Sequence, residues 1–557
     1  MKTAIKFLLI TTGVSLLSAQ APPGRGRAGT PTESVRPPAS HKIALAVTGL
    51  MGWHVGLPST AFRDLSFLEA AVKTDAAGLG AIEAFNTQKV SPQIAKNLDY
   101  NLAPDEQAQV KDKLKALSMR LYAYHVDKLG PDDRKPLQFA KDMGADLVVT
   151  AAEPSSLAAL DKLAGEIGIN IAVETRNPRS LISALEGKSA HIGIAADSAA
   201  GSDRLMALEL RGGAAGRVQL FLEIAKQEPP PEEQPDNCSN CGRPHGGDRP
   251  LFIALDSPAD IEKFETAVRP AMGYRVEQIT KLVPITSVNK VPAADRQKLE
   301  AVLPKQAVAQ PKKPRKLLVI DLCPAGGYYH ATIAYANLAI QLMGKNTGAY
   351  EPLFSNDLNN LKYPKIKQFD AVFLNSVVGE VFPDPDVLNG LIRFVREGGG
   401  VAGLHGSTYA SMDLPEYSEL MGAADGPHRV EQATLKVDDP NSPITKQFGG
   451  KDIVHTDEFY HFLPTGPFSR DKLHVLLSVD AAKSDLTNWK VRPDNDYGSV
   501  WIKSYGKGRV FNCAMGHTAA FYEKPEFEQM ILNAIQFITG DLAADTTPSA
   551  KLSAKKE

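Results

Sequence analysis

Residues 397–410 read EGGGVAGLHGSTYA, and this stretch decides the fold of the C-terminal half. Three glycines follow a polar helix end, a short apolar strand covers 401–404, and His405 then stands before two small residues. In α/β enzymes, a sharp strand-to-helix turn with small residues around one reactive side chain presents a nucleophile above the sheet. Histidine is rarely a nucleophile, so the stretch predicts an elbow-type turn that serves another chemistry.

Apolar runs of strand length alternate with helical patterns on both sides of that stretch. This alternation predicts an α/β domain with an open, doubly wound, flavodoxin-like sheet over residues 316–541. The runs are KLLVIDL (316–322), YEPLFS (350–355), FDAVFLNS (369–376), VAGLH (401–405), HVLLSV (474–479), SVWIKSY (499–505) and GRVFNCA (508–514).

The N-terminal half contains eight further apolar runs, and helical patterns lie between most of them. Eight strands that alternate with helices predict a (β/α)8 TIM barrel over residues 41–285. The runs are IALAVT (43–48), GAIEAF (80–85), RLYAYHV (120–126), DLVVTA (146–151), NIAVET (170–175), HIGIAA (191–196), RVQLFLEI (217–224) and LFIALD (251–256).

The first 21 residues, MKTAIKFLLITTGVSLLSAQA, combine two lysines, an apolar run and small residues at the end. This order is typical of a secretory signal peptide with cleavage near Ala19 or Ala21. The apolar run is too short for a membrane-spanning helix, so we expect an exported protein, periplasmic or extracellular. The net charge of −2 gives no reason to expect nucleic acid or an anionic membrane as a partner.

Three segments have the composition of unstructured chain. Residues 22–40 are rich in Pro, Gly and Ser and predict a disordered lead-in. Residues 286–315 are rich in Pro, Lys and Ala with little apolar periodicity, and predict a mobile linker between the two domains. Residues 542–557 are polar and predict a disordered tail.

The four cysteines fall into two groups. Cys238 and Cys241 lie in DNCSNCGRPHGG, where a local disulfide, a metal site that includes His245, and unpaired thiols all remain open. Cys323 and Cys513 lie in apolar strand-like runs, where cysteine usually serves as a small buried hydrophobe.

Three histidines of the C-terminal half follow predicted strands and have glycine nearby: His330, His405 and His517. In open α/β sheets the ligand site lies beyond the carboxyl ends of the strands, so we expect these side chains to share one site. His428 and the pair Asp457–Glu458 are further candidates. Imidazole and carboxylate groups together bind a metal or relay protons near neutral pH.

Five motifs of this half resemble the trehalose-utilisation (ThuA-like) family of the class I glutamine amidotransferase-like superfamily. Amidotransferases of that superfamily carry a catalytic cysteine at the elbow, whereas ThuA-like proteins carry histidine. The resemblance therefore implies that His405 marks a domain without glutamine-hydrolysing chemistry. The motifs are KLLVIDLCPAGGYYHATI, FVREGGGVAGLHGSTYA, MGAADGPHRVEQATLKV, TDEFYHF and GKGRVFNCAMGHTAAFYEKPEFEQMILNAIQFITGD.

The family resemblance implies work on a small carbohydrate, a disaccharide or a 3-keto-glycoside. A ketone at C3 acidifies the proton at C2, and its abstraction gives an enediolate that can expel the anomeric substituent. Such chemistry needs a base, an acid and an electrophile near the oxyanion. A divalent metal is the candidate cofactor. The residues assigned to catalysis are His405, His517, His330 and Glu458, and those assigned to substrate binding are His428, Asp457, Tyr460 and Arg509.

The N-terminal half resembles xylose-isomerase-like sugar phosphate isomerases and epimerases in several strands. The resemblance implies metal-binding carboxylates at Glu174 and Asp197, with Asp256 in the place of a last ligand. Two histidines of the family pattern are absent, one beyond Asp197 and one from the predicted seventh strand. We therefore expect a weak or absent metal site. Glu83 and His125 match other strands of the pattern.

Three functions remain open at this point. The first is an enzyme with its active site in the ThuA-like domain. The second is a non-catalytic carbohydrate-binding or scaffold protein with two degenerate enzyme domains, and the third is a sugar isomerase or epimerase that acts through the barrel. Convergence of the three histidines on one cleft would favour the first.

Overall fold

The computed structural model describes Ala44, Val47 and residues 51–553, apart from gaps at 118, 200–203, 228–250, 283, 325–327, 413, 425, 465 and 488–491. The signal peptide and lead-in predictions, and the segment with Cys238 and Cys241, lie outside the described residues. Among the helices that the structure describes, none has the length and apolar character needed to cross a membrane.

The first domain is a closed barrel of eight parallel strands, which confirms the predicted TIM barrel. β1 pairs with both β2 and β8 and so closes the ring. The strands are β1 (Trp53–Pro58), β2 (Ala81–Phe85), β3 (Arg120–Lys128), β4 (Leu147–Ala151), β5 (Asn170–Glu174), β6 (Ile192–Ala196), β7 (Leu205–Leu210) and β8 (Leu251–Leu255). The helices of this domain are α1 (Phe67–Ala76), α2 (Pro104–Ala116), α3 (Arg134–Asp142), α4 (Leu157–Ile167), α5 (Pro178–Ala184), α6 (Val218–Gln227) and α7 (Ile261–Leu282).

Two of the eight predicted barrel strands were wrong. The first strand is 53–58 rather than 43–48, a run that lies mostly outside the described residues. The run 217–224 belongs to helix α6, and the seventh strand is 205–210. Helix α6 buries its apolar residues at helical spacing, which a short apolar run does not distinguish from a strand.

Small residues fill much of the barrel interior. Ala172, Ala195 and Ala207 form part of an inner cluster with two stacked aromatic rings, Tyr122 and Phe252, whose centroids are 5.2 Å apart. Larger aliphatic side chains form the outer core between the strands and the helices. The strands therefore enclose a packed interior, as in other TIM barrels.

The second domain is a nine-stranded mixed sheet in the order β10-β9-β11-β12-β17-β16-β15-β13-β14. The first five strands in this order are parallel and the rest antiparallel. The strands are β9 (Lys316–Ile320), β10 (Glu351–Phe354), β11 (Ala371–Asn375), β12 (Gly400–Leu404), β13 (His428–Val437), β14 (Ile453–Tyr460), β15 (His474–Val479), β16 (Gly498–Tyr505) and β17 (Gly508–Cys513). The helices are α8 (Ala293–Val302), α9 (Ile333–Thr347), α10 (Pro385–Arg396), α11 (Pro415–Met421), α12 (Pro525–Thr539) and α13 (Ser549–Ser553).

The parallel part matches the predicted α/β sheet, and the antiparallel part extends it. Helices α9 and α12 share one apolar core, while residues of α10 belong to a core that continues into the barrel. Where the two domains meet, a Cβ added to Gly273 of α7 would lie 3.0 Å from the Cβ of Asp384, the residue just before α10. The two domains therefore pack against each other with little room between α7 and that turn.

The segment 286–315 is not the mobile linker that its composition predicts. It contains helix α8, where Leu299 is 1 % exposed. Thr286 N donates to Asp321 Oδ2 at 2.9 Å, and Val308 N donates to Gln536 Oε1 at 2.8 Å. Its few apolar residues are spaced too widely to give a periodic pattern, yet they are the ones that pack against the second domain.

The C-terminal tail is also ordered through residue 553. His474 Nδ1 donates to the Thr547 carbonyl at 2.8 Å, and Val475 N donates to Ser549 Oγ at 2.9 Å. Thr547 and Ser549 thus hold the tail against the start of β15, although the sequence there is polar enough to predict a loose end.

Candidate functional site

The turn after β12 has the backbone of an elbow. His405 has a φ of +49°, in the left-handed region that residues with a Cβ seldom adopt. The neighbours must be small, because a Cβ at Gly403 would lie 2.3 Å from Ser407 Oγ and one at Gly406 would lie 2.5 Å from Val378 Cγ2. Strained backbone of this kind is concentrated at functional sites.

The ring of His405 is fully buried and its orientation is fixed. Nδ1 lies 3.3 Å from the Ala514 carbonyl oxygen, which can only accept, so Nδ1 carries the proton. Burial, together with the nearby charge of His330, lowers the pKa of His405 to about 3, and the ring is therefore neutral. Nε2 then presents a lone pair, with Tyr460 Oη at 3.5 Å.

Asp457 fixes the loop that carries His517. Its carboxylate accepts hydrogen bonds from the backbone N–H groups of Gly516 at 2.9 Å, His517 at 2.9 Å and Thr518 at 3.3 Å. The side chain is 0 % exposed and also lies 3.2 Å from His455 Nε2. Asp457 therefore positions the loop and does not reach a substrate, which corrects the substrate-binding role assigned from the sequence.

The four residues assigned to catalysis meet at one point. His330, His405, Glu458 and His517 each offer one ligand atom, and these atoms all lie within 4.8 Å of one another. His405 Nε2 lies 3.2 Å from His517 Nδ1 and 3.5 Å from Glu458 Oε2, and the latter two atoms are 3.3 Å apart. The His330 ring stands edge-on to that of His405, with centroids 4.3 Å apart.

These separations fit a metal centre. A tetrahedral ion with bonds of about 2.0–2.1 Å to nitrogen and oxygen has ligand atoms about 3.3–3.4 Å apart. The three measured separations lie between 3.2 and 3.5 Å. His405 also has the arrangement usual for a metal-binding histidine, since its other ring nitrogen donates to a backbone carbonyl.

Glu458 and His517 stabilise each other's charge. Burial raises the pKa of Glu458, but the hydrogen bond and charge of His517 outweigh it and hold this pKa below its usual value. Burial lowers the pKa of His517, but Glu458 outweighs it and raises this pKa. This pair therefore favours the ionised carboxylate of Glu458 and the protonated ring of His517, beside the neutral ring of His405.

Aromatic side chains surround the cluster on its outer side. The ring of His428 lies 5.1 Å from that of Tyr460, and its Nδ1 is 3.2 Å from Tyr409 Oη. Tyr328 is 54 % exposed and stands edge-on to His330, with centroids 4.7 Å apart. His428 and Tyr460, both assigned to substrate binding, are thus beside the cluster. Tyr328 and Tyr409 had no sequence signal beyond their place next to the motif histidines.

Arg509 does not belong to this site. It lies at the start of β17, whereas His517 follows the end of that strand. Its Nη2 donates to the Gly398 carbonyl at 2.7 Å and its Nε to the Ile538 carbonyl at 3.2 Å. The substrate-binding assignment of Arg509 was wrong, and its role is to tie the turn before β12 to the end of α12.

The cysteines are not part of the site either. Cys323 and Cys513 are buried, and neither occupies the elbow. Burial raises the pKa of the Cys513 thiol far above its usual value. Thiol catalysis is therefore excluded for Cys513 at neutral pH.

In the barrel, the predicted metal ligands do not form a metal-sized group. Glu174 ends β5, while Asp197 and Asp256 are exposed, and among described residues the one group of convergent ligand atoms is in the second domain. Glu174 instead lies near two residues that sequence reasoning missed, Glu209 and Arg211. The sequence signal for Glu209 was the alternation in LMALEL (205–210), which places Ala207 and Glu209 on the same face of the strand.

Comparison with known families agrees with the resemblance seen in the sequence. Residues 318–538 match the family model ThuA, described as trehalose utilisation. The match covers the second domain with all four clustered residues, so this domain is ThuA-like. No curated protein matches the chain.

Several solved structures are similar to part of the chain. A putative ThuA-like protein from Bacteroides uniformis is 18 % identical, with 43 % of this chain and 98 % of that chain covered and a TM-score of 0.36. A sugar phosphate isomerase/epimerase from Parabacteroides distasonis is 11 % identical, with 41 % and 94 % covered and a TM-score of 0.25. A xylose isomerase domain containing protein from Salmonella typhimurium is 10 % identical, with 40 % and 97 % covered and a TM-score of 0.26.

Proposed function

We propose that the ThuA-like domain is a metal-dependent carbohydrate-processing enzyme that cleaves a disaccharide or a 3-keto-glycoside by enediolate-type acid–base chemistry. The observation that carries this proposal is the convergence of His330, His405, Glu458 and His517 within 4.8 Å. The ThuA match supports a carbohydrate as the substrate class.

The four clustered residues would hold the ion. A bound divalent cation would supply Lewis-acid polarisation of a ketone or hydroxyl oxygen on the sugar. His405 then serves as a ligand and not as the general base, because one ring nitrogen donates to Ala514 and the other faces the cluster. Asp457 is a positioning residue, since its carboxylate accepts a hydrogen bond from the backbone N–H of His517.

His428 is the best-placed group for proton transfer. It is exposed, it is not one of the clustered ligands, and its ring contacts Tyr460 and Tyr409, which border the cluster. In the proposed elimination, a base takes the proton from C2 of a 3-keto sugar, the bond from C1 to the leaving oxygen breaks, and a proton is delivered to that oxygen. His428 can exchange protons with solvent between turnovers.

Tyr328 offers a surface for the sugar ring. Its ring is 54 % exposed and stands beside both His330 and His517, with centroids 4.7 and 6.5 Å away. Aromatic rings with one open face are suited to the apolar face of a pyranose, whose hydroxyls remain free to reach polar groups. A sugar on Tyr328 would lie next to the metal ligands.

The test uses the full-length protein and a 3-keto-disaccharide. We expect about one equivalent of divalent metal, loss of turnover with a chelator, and recovery when metal is returned. His428→Gln should keep the metal and lower turnover by about 10²–10⁴-fold. Turnover that a chelator leaves unchanged would contradict the metal role. Sugar binding without any turnover would establish the non-catalytic carbohydrate-binding alternative.

We also propose that the protein is exported, on the basis of its first 21 residues. Expression in a bacterial host, followed by fractionation and mass measurement, tests this directly. A periplasmic or secreted form that begins after Ala19 or Ala21 is expected. A full-length cytoplasmic form would overturn the proposal.

A further inference from the structure

A buried polar network lies next to the stretch of chain that carries His330. Asp321, Asn356 and Asn375 stand at or just beyond the carboxyl ends of β9, β10 and β11, which are adjacent strands of the sheet. The side chain of Asn337, from α9, lies among them and completes the network. All four side chains belong to residues that are at most 4 % exposed, and none of them is a member of the metal cluster.

Asp321 is the centre of this network. Its Oδ2 accepts hydrogen bonds from Thr286 N at 2.9 Å and from Asn337 Nδ2 at 2.8 Å, and its Oδ1 accepts one from Asn356 Nδ2 at 2.9 Å. Burial raises the pKa of Asp321, and these donors offset part of that rise. The three donors are neutral groups, and a carboxylate buried among them costs more stability than one paired with a cation. Costs of this kind are expected where a function depends on the arrangement.

The network reaches the stretch with His330 at both ends. Asp321 begins that stretch, and Ile333, the first residue of α9, follows it. Asn337 Oδ1 accepts a hydrogen bond from Asn375 Nδ2 at 2.9 Å, and the same Nδ2 group donates to the Ile333 carbonyl at 3.0 Å. Ile333 N in turn donates to the His330 carbonyl at 3.1 Å. Hydrogen bonds therefore connect the position of His330 to Asp321.

The segment that leaves the barrel takes part in the same network. Thr286 follows α7, the last helix of the barrel, and its carbonyl accepts a hydrogen bond from Asn337 Nδ2 at 3.1 Å. Its Oγ1 accepts one from Tyr329 Oη at 3.3 Å. Lys290 Nζ lies 5.7 Å from the centroid of the Tyr329 ring, within the range of a cation–π contact. Because Tyr329 directly precedes His330, the segment 286–290 also holds the chain beside the metal cluster.

We propose that Asp321 is a positioning residue for the His330 ligand and that it acts together with Thr286, so that docking of the segment that leaves the barrel sets the metal affinity of the second domain. The inference rests on the proposed role of His330 as a metal ligand. A metal site holds its ion tightly only when supporting residues fix each ligand in place. Asp457 gives this support to the loop with His517, and Asp321 gives it to the stretch with His330.

The test is a Co²⁺ titration of the full-length protein, because the visible absorption of bound Co²⁺ reports the number and arrangement of its ligands. Asp321→Asn keeps the shape of the side chain but turns an NH₂ group toward N–H donors, so the network cannot close. We expect Co²⁺ affinity about 10–100-fold below that of the wild type. The spectrum should change in the same direction as in His330→Ala. If Asp321 acts through His330, Asp321→Asn should cause no further loss of affinity in the His330→Ala background.

Asp541→Asn is the matched control. Asp541 is also a buried carboxylate that ties the segment 286–315 to the second domain, since it accepts a hydrogen bond from Lys312 N at 3.0 Å and contacts the Arg315 guanidinium. Arg315 directly precedes β9, whereas His330 follows the other end of that strand. We expect Asp541→Asn to lower the stability of the protein and to leave the Co²⁺ affinity and spectrum unchanged.

Two milder variants test the part played by the segment that leaves the barrel. Thr286→Val and Tyr329→Phe each remove the hydrogen bond between these two side chains and should fold even if Asp321→Asn does not. Each should weaken Co²⁺ binding by about two- to tenfold, and Tyr329→Phe should add nothing to Thr286→Val.

The outcomes separate this inference from the proposed function. Wild-type affinity in Asp321→Asn, or a loss that persists in the His330→Ala background, would overturn the role of Asp321. Wild-type affinity in both milder variants would overturn the role of Thr286. A wild-type protein that binds no Co²⁺ would overturn the proposed metal-dependent function together with this inference.

Discussion

His517 Nδ1 lies 3.2 Å from His405 Nε2, although 112 positions separate the two residues in the chain. Each histidine follows the carboxyl end of a parallel strand, β12 for His405 and β17 for His517, and these strands are neighbours in the sheet. The sheet order thus brings the two rings together, and the elbow at His405 and the Asp457 carboxylate orient them.

Replacement of His405 by Asn should remove metal and turnover while the domain stays folded. Among residues with a Cβ, asparagine is one of the few that readily adopt the left-handed backbone of the elbow. The amide lacks the imidazole lone pair that faces the cluster. We expect metal content well below one equivalent and a melting temperature within a few degrees of the wild type.

His474→Asn is the matched control for that variant. His474 is buried in the same domain, but its ring nitrogens contact Thr547 and Asp439. We expect it to lower the stability of the domain and to leave the metal content of the folded protein unchanged. If His405→Asn unfolds the domain and its folded fraction keeps full activity, His405 is structural and the metal centre is assigned wrongly.

Asp457→Asn should weaken the metal without abolishing the site. An amide presents one oxygen and one NH₂ group to three backbone N–H donors, so the loop at 516–518 loses part of its anchor. Changes behind metal ligands typically cost about 10–100-fold in metal affinity. A metal titration should show this loss, with turnover recovered at high metal concentration. Normal metal affinity in a less stable protein would mean that Asp457 only supports the fold.

Much of the fold was predictable because buried strands leave apolar runs in the sequence. The prediction failed where the apolar signal was weak, or where a helix and a strand would give the same signal. β13 and β14 form an exposed hairpin, with Val430 49 % and Val454 58 % exposed, and carry no continuous apolar run. The segment 217–224 has the apolar content of a strand but the spacing of a helix. Long apolar runs identify buried elements better than they identify their type.

The candidate site was predictable where position along a strand determined it. His330, His405 and His517 follow strands that share one edge, so their convergence follows from the sheet. Arg509 was misplaced because it begins its strand, and the side chains at that end lie at the opposite edge. The backbone role of Asp457 depends on how the hairpin of β13 and β14 bends toward the 516–518 loop, which no local pattern encodes.

Limited proteolysis should spare the segment 286–315. Helix α8 buries Leu299, and the Arg315 guanidinium contacts Asp370 at 2.9 Å and Asp541 at 2.6 Å. A protease needs an extended, mobile stretch of chain, and these contacts hold the segment in place. Leu299→Asp should expose the segment and create cleavage sites within it, as read by mass spectrometry. Rapid cleavage of the wild type here would restore the mobile-linker interpretation.

Glu528 should make the second domain less stable as the pH rises. Its carboxyl group lies in helix α12, is 1 % exposed, and finds no hydrogen-bond partner among the described residues. Burial raises its pKa from 4.5 to about 8. Below pH 4.5 the group is protonated in both the folded and unfolded chains. Between these values the unfolded chain ionises and the folded one does not, so the free energy of unfolding falls as the pH increases.

Glu528→Gln removes this titration and keeps the shape of the protonated side chain. We expect the variant to match the wild type near pH 4.5 and to be more stable at pH 8, by roughly 4–5 kcal/mol. Chemical denaturation of both proteins across this range measures the difference. Glu526→Gln, in the same turn but exposed, should show no such trend. A wild-type stability that rises between pH 4.5 and 8 relative to Glu528→Gln would mean that the buried carboxyl is ionised and paired.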